Sequence, residues 1–201
     1  EALIAAFDDP RFTPAARTAL QVLAGHIAVA IENATLYRET RWYAGLLATL
    51  YEIGKETASI LDLDELLRRS AEIVKRVIDY EMFGILLLNE EGDELVLRQA
   101  VNFGPGKERS RIPVSGGLCG AAVRSREPVL VGDVREDPRY VSLVPETRSE
   151  LVVPLVHKDR VIGVLDLESP QLDRFNERHV KVLTPLASQV AGAIENARLY
   201  A

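Results

Sequence analysis

Apolar residues recur at three- and four-residue spacing in several stretches of the chain, with short apolar runs between them. Val180, Leu183, Leu186, Ala187, Val190, Ala191 and Ile194 trace one face of a helix over 176–200, with Asn176 as N-cap and Glu177 in the first turn. Leu20, Leu23, Ile27, Ala30, Ala34 and Tyr37 trace another, opened by Thr13 as cap and Pro14 in the first helical position. Nothing stops that helix after Tyr37, because residues 38–58 hold no Pro and only Gly45 and Gly54 weaken it. Leu46, Leu50, Ile53, Thr57 and Ile60 form a second stripe out of phase with the first, so the seam rotates near residues 42–46. Unbroken over 14–59, the helix is roughly 70 Å long at about 1.5 Å per residue. A helix of that length needs a partner, most simply the same helix of a second subunit.

The rest of the pattern mixes the two periods. Leu66, Leu67, Ile73, Val74, Val77 and Ile78 predict a helix from Asp62 or Asp64 to about Ile78. Strands are expected at 83–88 and 94–101, joined by the turn Glu90-Glu91-Gly92-Asp93. Extended chain at 111–114, a helix at 118–125, a short strand at 128–131 and a long loop over 133–148 come next. Two strong strands, 151–156 and 161–167, meet at the turn His157-Lys158-Asp159-Arg160. The expected fold class is therefore α+β, helices packed on a central antiparallel sheet.

An internal repeat organises the chain. Phe12–Tyr37 and Phe175–Tyr200 align without a gap at an offset of 163 (175 − 12), with 12 of 26 positions identical, including Ala-Ile-Glu-Asn-Ala at 30–34 and 193–197. Such spacing implies two copies of one domain-sized unit. The first copy is present only as its last helix, with Leu3 and Ile4 a remnant of its last strand. Residues 1–40 are accordingly read as the C-terminal helix of a preceding domain, 41–60 as a connecting helix or coiled coil, and 45–201 as one complete domain. The chain opens at Glu1 rather than Met and is read as part of something longer.

Composition narrows the function. The net charge of −6 argues against general affinity for nucleic acid or anionic membranes. The longest unbroken apolar runs, such as Leu151–Val156, are too short to span a bilayer. One cysteine, Cys119, precludes an internal disulfide framework and suits a reducing compartment. The expectation is a cytoplasmic protein with no nucleic-acid partner and no membrane contact by this segment. His26, His157 and His179 are scattered and make no ligand cluster, and no metal, haem or bilin signature is present, which leaves any cofactor unknown.

Residues 112–133, IPVSGGLCGAAVRSREPVLVGD, followed by Asp137-Pro138-Arg139-Tyr140, the hairpin SELVVPLVHKDRVIGVLDLESP at 149–170 and the closing helix ending in Glu-Asn-Ala, resemble the GAF family of sensor domains over about residues 45–201. The resemblance implies a PAS-like sheet of six strands, a ligand pocket on one face and dimerising helices on the other. Within the family, RIPVSGGLCGAAV, SELVVPLV and IGVLDLESP are similar to the free methionine-R-sulfoxide reductases, which are catalytic GAF domains. Cys119 matches one of their cysteines, whereas the positions near Arg109 and Leu143 are not Cys. Glu150 and Asp166 match carboxylates of that subfamily's pocket, which implies room for a cationic or amino group. The residue set of cyclic-nucleotide-binding GAF domains is not recognisable.

The candidate ligand-binding residues are Ser115, Gly116, Gly117, Leu118, Cys119, Asp133, Tyr140, Glu150 and Asp166. Ser115-Gly116-Gly117 either presents backbone N–H groups to an anion or carbonyl, or Ser115 caps the helix and the glycines permit a tight turn. Cys119 is a packed small hydrophobe or a reactive thiol. Asp133 accepts from a ligand or shapes its own turn. Asp166 lies on the strand face opposite Leu165 and Leu167, in a pocket or in solvent, and Tyr140 is a lid residue.

The sequence-level expectation is a small-molecule sensor, not itself an enzyme. It would bind a ligand of unknown identity, form a homodimer through its N- and C-terminal helices, and signal to an output domain of the same polypeptide. The alternatives are a catalytic domain of the sulfoxide-reductase type, which a single thiol disfavours, and a structural dimerisation module without ligand.

Overall fold

In a computed structural model, residues 13–57, 60, 62–104, 106–107, 110–142 and 144–199 are described. The chain divides into two compact units, 1–48 and 49–201. Helix α1 runs Pro14–Thr57. Its start follows the expected capping: Thr13 Oγ1 accepts from Ala16 N at 3.3 Å and Thr13 O from Arg17 N at 3.0 Å. In the first unit its apolar residues face outward, with Leu23 57%, Ile27 51% and Ile31 62% exposed. Pro14–Tyr37 is long and apolar enough to cross a membrane by length and composition, at a mean hydropathy of 1.3, a property that the search for unbroken apolar runs missed. The expected strand remnant at Leu3–Ile4 lies outside the described residues, as do the side chains of the proposed seam at Leu46, Leu50, Ile53 and Thr57.

The second unit is a six-stranded sheet in the order β3-β2-β1-β6-β5-β4, every neighbouring pair antiparallel. The strands are β1 Met82–Leu88, β2 Glu94–Val101, β3 Arg111–Pro113, β4 Val129–Val131, β5 Ser149–His157 and β6 Arg160–Ser169. Three helices accompany them: α2 Leu63–Val77, α3 Gly117–Ser125 and α4 Glu177–Leu199. This is the α+β architecture expected from the pattern. Asp62 Oδ1 caps α2 by accepting from Glu65 N at 2.8 Å, and Lys75 and Arg76 sit in the last turn, where a cation favours the helix dipole. Asn176 Oδ1 caps α4, accepting from Arg178 N at 3.0 Å.

Pleating sends alternate residues of the central strands to opposite faces. Phe83, Ile85, Leu87, Leu151, Val153, Leu155, Leu165 and Leu167 face one way and are buried. Helices α2 and α4 pack on the sheet strands and on each other. Ala187 and Ala191, on the apolar stripe of the C-terminal helix that was expected to take part in dimerisation, are buried in the domain itself. The other face carries Leu86, Val152 and Val164 into a core shared with Leu95, Leu97, Ile112, Leu118 and Cys119, closed by α3. Asp166, Glu168 and Glu150 share the parity of that second face.

Gly163 allows β6 to lie between β1 and β5: a Cβ there would stand 2.2 Å from Leu86 O and 3.0 Å from Leu87 Cα, both backbone atoms. Gly163→Ala must therefore push the central strands apart, at a cost of about 1–3 kcal/mol. Urea unfolding followed by tryptophan-independent circular dichroism should show a clearly lower midpoint, and an unchanged midpoint would contradict this packing.

Candidate functional site

The site is assembled where the N-terminus of α3 meets β5 and β6. Pro113 ends β3, and the chain turns through Ser115-Gly116-Gly117 into the helix. Gly116 is the N-cap and has no side chain with which to cap; Gly117 has φ +69, in the left-handed region where glycine carries no Cβ penalty. The alternative in which Ser115 caps the helix is thus corrected. Ser115 is exposed at the outer edge of the turn, because the left-handed step at Gly117 moves the helix start one residue on. The turn delivers Leu118 and Cys119 to the sheet, where both are buried.

The sheet supplies the charges. Glu150 on β5 pairs directly across the ladder with Glu168 on β6, and Asp166 is paired with Val152 two positions along. All three point to the α3 face. Glu150 is 4% exposed and Asp166 1%. Ile112, Gly117, Leu118, Cys119, Val141, Glu150, Asp166 and Glu168 line one cavity with about 10 Å³ of free space, room for little more than one water molecule. Cys119 Sγ and one carboxylate oxygen each of Glu150 and Asp166 lie within 4.8 Å of one another. Thr147 Oγ1 donates to Glu168 Oε2. Asp166 Oδ1 has no hydrogen-bond partner among the described residues.

Like charges this close and this dry cannot all be ionised. Burial first, then the neighbouring carboxylates Asp166 and Glu168, raises the Glu150 carboxyl well above its ordinary range. Burial and Glu168 do the same to Asp166. Glu168, raised chiefly by burial, is pushed up to about 7. Burial, followed by the fields of Asp166, Glu150 and Glu168, raises the Cys119 thiol well above its ordinary value. The resting site is one thiol facing carboxyls held largely in their acid form.

The remaining candidates lie on the loop over 132–148. Asp133 shapes its own turn, accepting from Arg135 N at 3.1 Å, and pairs with Arg148 at 2.7 Å. Together with the bond from Val134 N to Arg148 O at 2.8 Å, this pins the two ends of the loop together. Asp133 lines a separate, open groove with Asp137, Arg139 and Asp173. Tyr140 is half-buried against the site's core, and burial raises its phenol above the usual range. The structure therefore brings together Gly117, Leu118, Cys119, Glu150 and Asp166, places Tyr140 beside them, and leaves Ser115, Gly116 and Asp133 outside the cavity. Glu168 was missed. The signal was present, since Asp166-Leu167-Glu168 in a strand puts both acids on one face. Arg109 and Leu143, near which the resemblance implies further cysteines, lie outside the described residues.

The carboxyl shifts make stability fall as pH rises. Between the unfolded value of 4.5 and about 7 the native state holds a proton on Glu168 that the unfolded chain has released, so native stability is lost through that window. At about 1.4 kcal/mol per pKa unit the loss is on the order of 3 kcal/mol. Thermal unfolding should occur at a higher temperature at pH 5 than at pH 8, and Glu168→Gln should flatten part of that slope. A wild-type melting temperature that rises from pH 5 to pH 8 would contradict this charge arrangement.

Residues 60–195 match the model of the GAF domain family. The chain is 34% identical over 155 residues, 76% of its length and 88% of the relative's, to free methionine-R-sulfoxide reductase of Escherichia coli K12. The structure of free methionine-R-sulfoxide reductase from Neisseria meningitidis in complex with its substrate superposes with a TM-score of 0.68 at 33% identity, covering 78% of this chain and 92% of that one. A Nif-specific regulatory protein of Herbaspirillum seropedicae is 26% identical over 77% of this chain, a part that makes up 30% of the regulator. These findings overturn the expectation that the chain is not an enzyme, because proteins aligned with it over most of its length are enzymes. That expectation required one chain to hold both a nucleophile and its resolving thiol, whereas the nucleophilic step needs one thiol alone. The chain belongs to the GAF domain family.

Proposed function

We propose that the second unit, 49–201, reduces a small sulfoxide, free methionine-R-sulfoxide being the first candidate, with Cys119 as nucleophile. The observation that carries this reading is the enclosed meeting of the Cys119 thiol with Glu150, Asp166 and Glu168 in one cavity. The identity with the Escherichia coli reductase supports it.

The chemistry follows from the charges. Asp166 adjoins both the thiol and Glu168, so the Cys119 proton leaves through Asp166, which takes it up as it passes its own to the ionised form of Glu168. The Cys119 sulfur attacks the sulfoxide sulfur while the neutral carboxyl of Glu150 donates its proton to the sulfoxide oxygen. The oxygen passes to Cys119 as a sulfenic acid, the substrate leaves as the thioether, and the sulfoxide is reduced by two electrons. With one cysteine in the chain, regeneration uses external thiol. A first thiol forms a mixed disulfide with Cys119 and releases water; a second displaces it, restoring the cysteine and leaving an external disulfide. The cavity's 10 Å³ is too small for the substrate, so Tyr140 and Val141, which cover it, move outward on binding.

The test is consumption of free methionine sulfoxide by the chain with a dithiol reductant. Turnover of the R epimer that Cys119→Ser lowers by at least about a thousandfold is expected. Absence of turnover, or turnover that survives the substitution, would overturn the assignment.

A second reading, regulation through α1, is favoured by the repeat. Leu23, Ile27 and Ile31 correspond at the offset of 163 to Leu186, Val190 and Ile194, which are fully covered in their own domain, whereas the first three are exposed. The helix thus carries an apolar face of the kind that a GAF domain buries, and the alignment with a regulatory protein fits a module that transmits. We propose that this face pairs with that of a second chain. Light scattering should give a dimer that Leu23→Glu with Ile27→Glu converts to monomer; a monomeric wild type would contradict the pairing.

A further inference from the structure

We propose that Cys119, Glu150 and Asp166 form a binding site for a divalent transition-metal ion of the zinc type, seated in the same cavity that the substrate enters. Three features point there. First, the donor atoms converge: Cys119 Sγ and one oxygen each from Glu150 and Asp166 lie within 4.8 Å of one another. A tetrahedral zinc ion, with bonds of about 2.3 Å to sulfur and about 2.0–2.2 Å to oxygen, fits between donors so spaced after small rotations. Second, Asp166 is buried and lines the cavity, and its Oδ1 has no hydrogen-bond partner among the described residues. A buried oxygen left in that state is costly, and a cation satisfies it. Third, no basic side chain lines the cavity among the described residues. None of the ion pairs among the described residues reaches Glu150, Asp166 or Glu168.

The donor set selects the ion. One thiolate and two carboxylates suit a borderline-soft cation such as Zn²⁺, whereas Ca²⁺ and Mg²⁺ call for oxygen donors alone. Three protein ligands leave a fourth position open for water, the pattern of an open site rather than a closed structural one. Glu168, hydrogen-bonded by Thr147, flanks Asp166 and holds it in place. Because the metal takes the thiol and both carboxyls, bound Zn²⁺ and bound sulfoxide exclude each other. That competition, though not the metal site, rests on the reductase reading.

The experiment is titration of the chelator-treated, reduced chain with Zn²⁺ against a chromophoric chelator, beside Co²⁺ loading followed by absorption. One equivalent of Zn²⁺ per chain is expected, together with a thiolate-to-Co²⁺ charge-transfer band. Cys119→Ser should remove the band, and Asp166→Asn should weaken Zn²⁺ binding at least about tenfold. Circular dichroism melting shows whether each variant is folded. If either variant fails to fold, protection of the wild-type Cys119 from an aromatic disulfide reagent by stoichiometric Zn²⁺ decides in its place. No stoichiometric binding, no band, or binding unchanged in a folded Asp166→Asn variant would overturn the site. Zn²⁺ should also raise the KM for free methionine sulfoxide without changing kcat. A metal-free chain that binds Zn²⁺ but turns over no sulfoxide would refute the reductase and leave the metal site standing.

Discussion

The structure turns on the desolvation of a thiol and three carboxyl groups behind one face of an antiparallel sheet. Burying Glu150, Asp166 and Glu168 beside Cys119 places charge where it cannot be hydrated, and the groups respond by keeping their protons. The surrounding fold maintains this arrangement. The β5–β6 ladder sets Glu150 opposite Glu168, the left-handed step at Gly117 aims α3 so that Cys119 meets them, and Thr147 fixes Glu168. A thiol that is inert at rest and acids that are neutral at rest make a poor nucleophile but a ready proton donor. Reactivity then depends on a substrate that brings a basic oxygen into the site, or on a cation that draws the thiolate out.

The two faces of the sheet divide the labour. On one, large aliphatic side chains meet α2 and α4, and each buried leucine or valine contributes about 1.5–3 kcal/mol by leaving water. On the other, the apolar packing is interrupted by the acidic cluster, whose burial lowers stability as pH rises towards neutral. The first face offsets the strain of the second, and Gly163 lets the central strands approach closely enough to hold both.

Much of the architecture was legible in the sequence because it follows from local rules. Asp62 and Asn176 cap the helices they precede, and the apolar runs at 151–156 and 161–167 locate the two longest strands to within a few residues. The site was legible in part. Cys119, Glu150 and Asp166 were named, but Glu168 escaped because its parity with Asp166 was not followed two residues further, and Ser115 was assigned a cap that Gly116 occupies. Which carboxyls touch the thiol is a matter of cross-strand register, which no local pattern fixes. The inference against catalysis failed for a chemical reason: counting cysteines tests whether a chain can recycle itself, not whether it can react.

The central claim, that Cys119 in this acidic cavity accepts oxygen from a sulfoxide, is tested most directly by a single turnover without reductant. The fully reduced, metal-free chain is mixed with excess free methionine-R-sulfoxide, and methionine and intact protein mass are measured together. The account predicts one equivalent of methionine per chain and a gain of one oxygen atom that peptide mapping places on Cys119. Release of no methionine, or of methionine with Cys119 left unmodified, would contradict it.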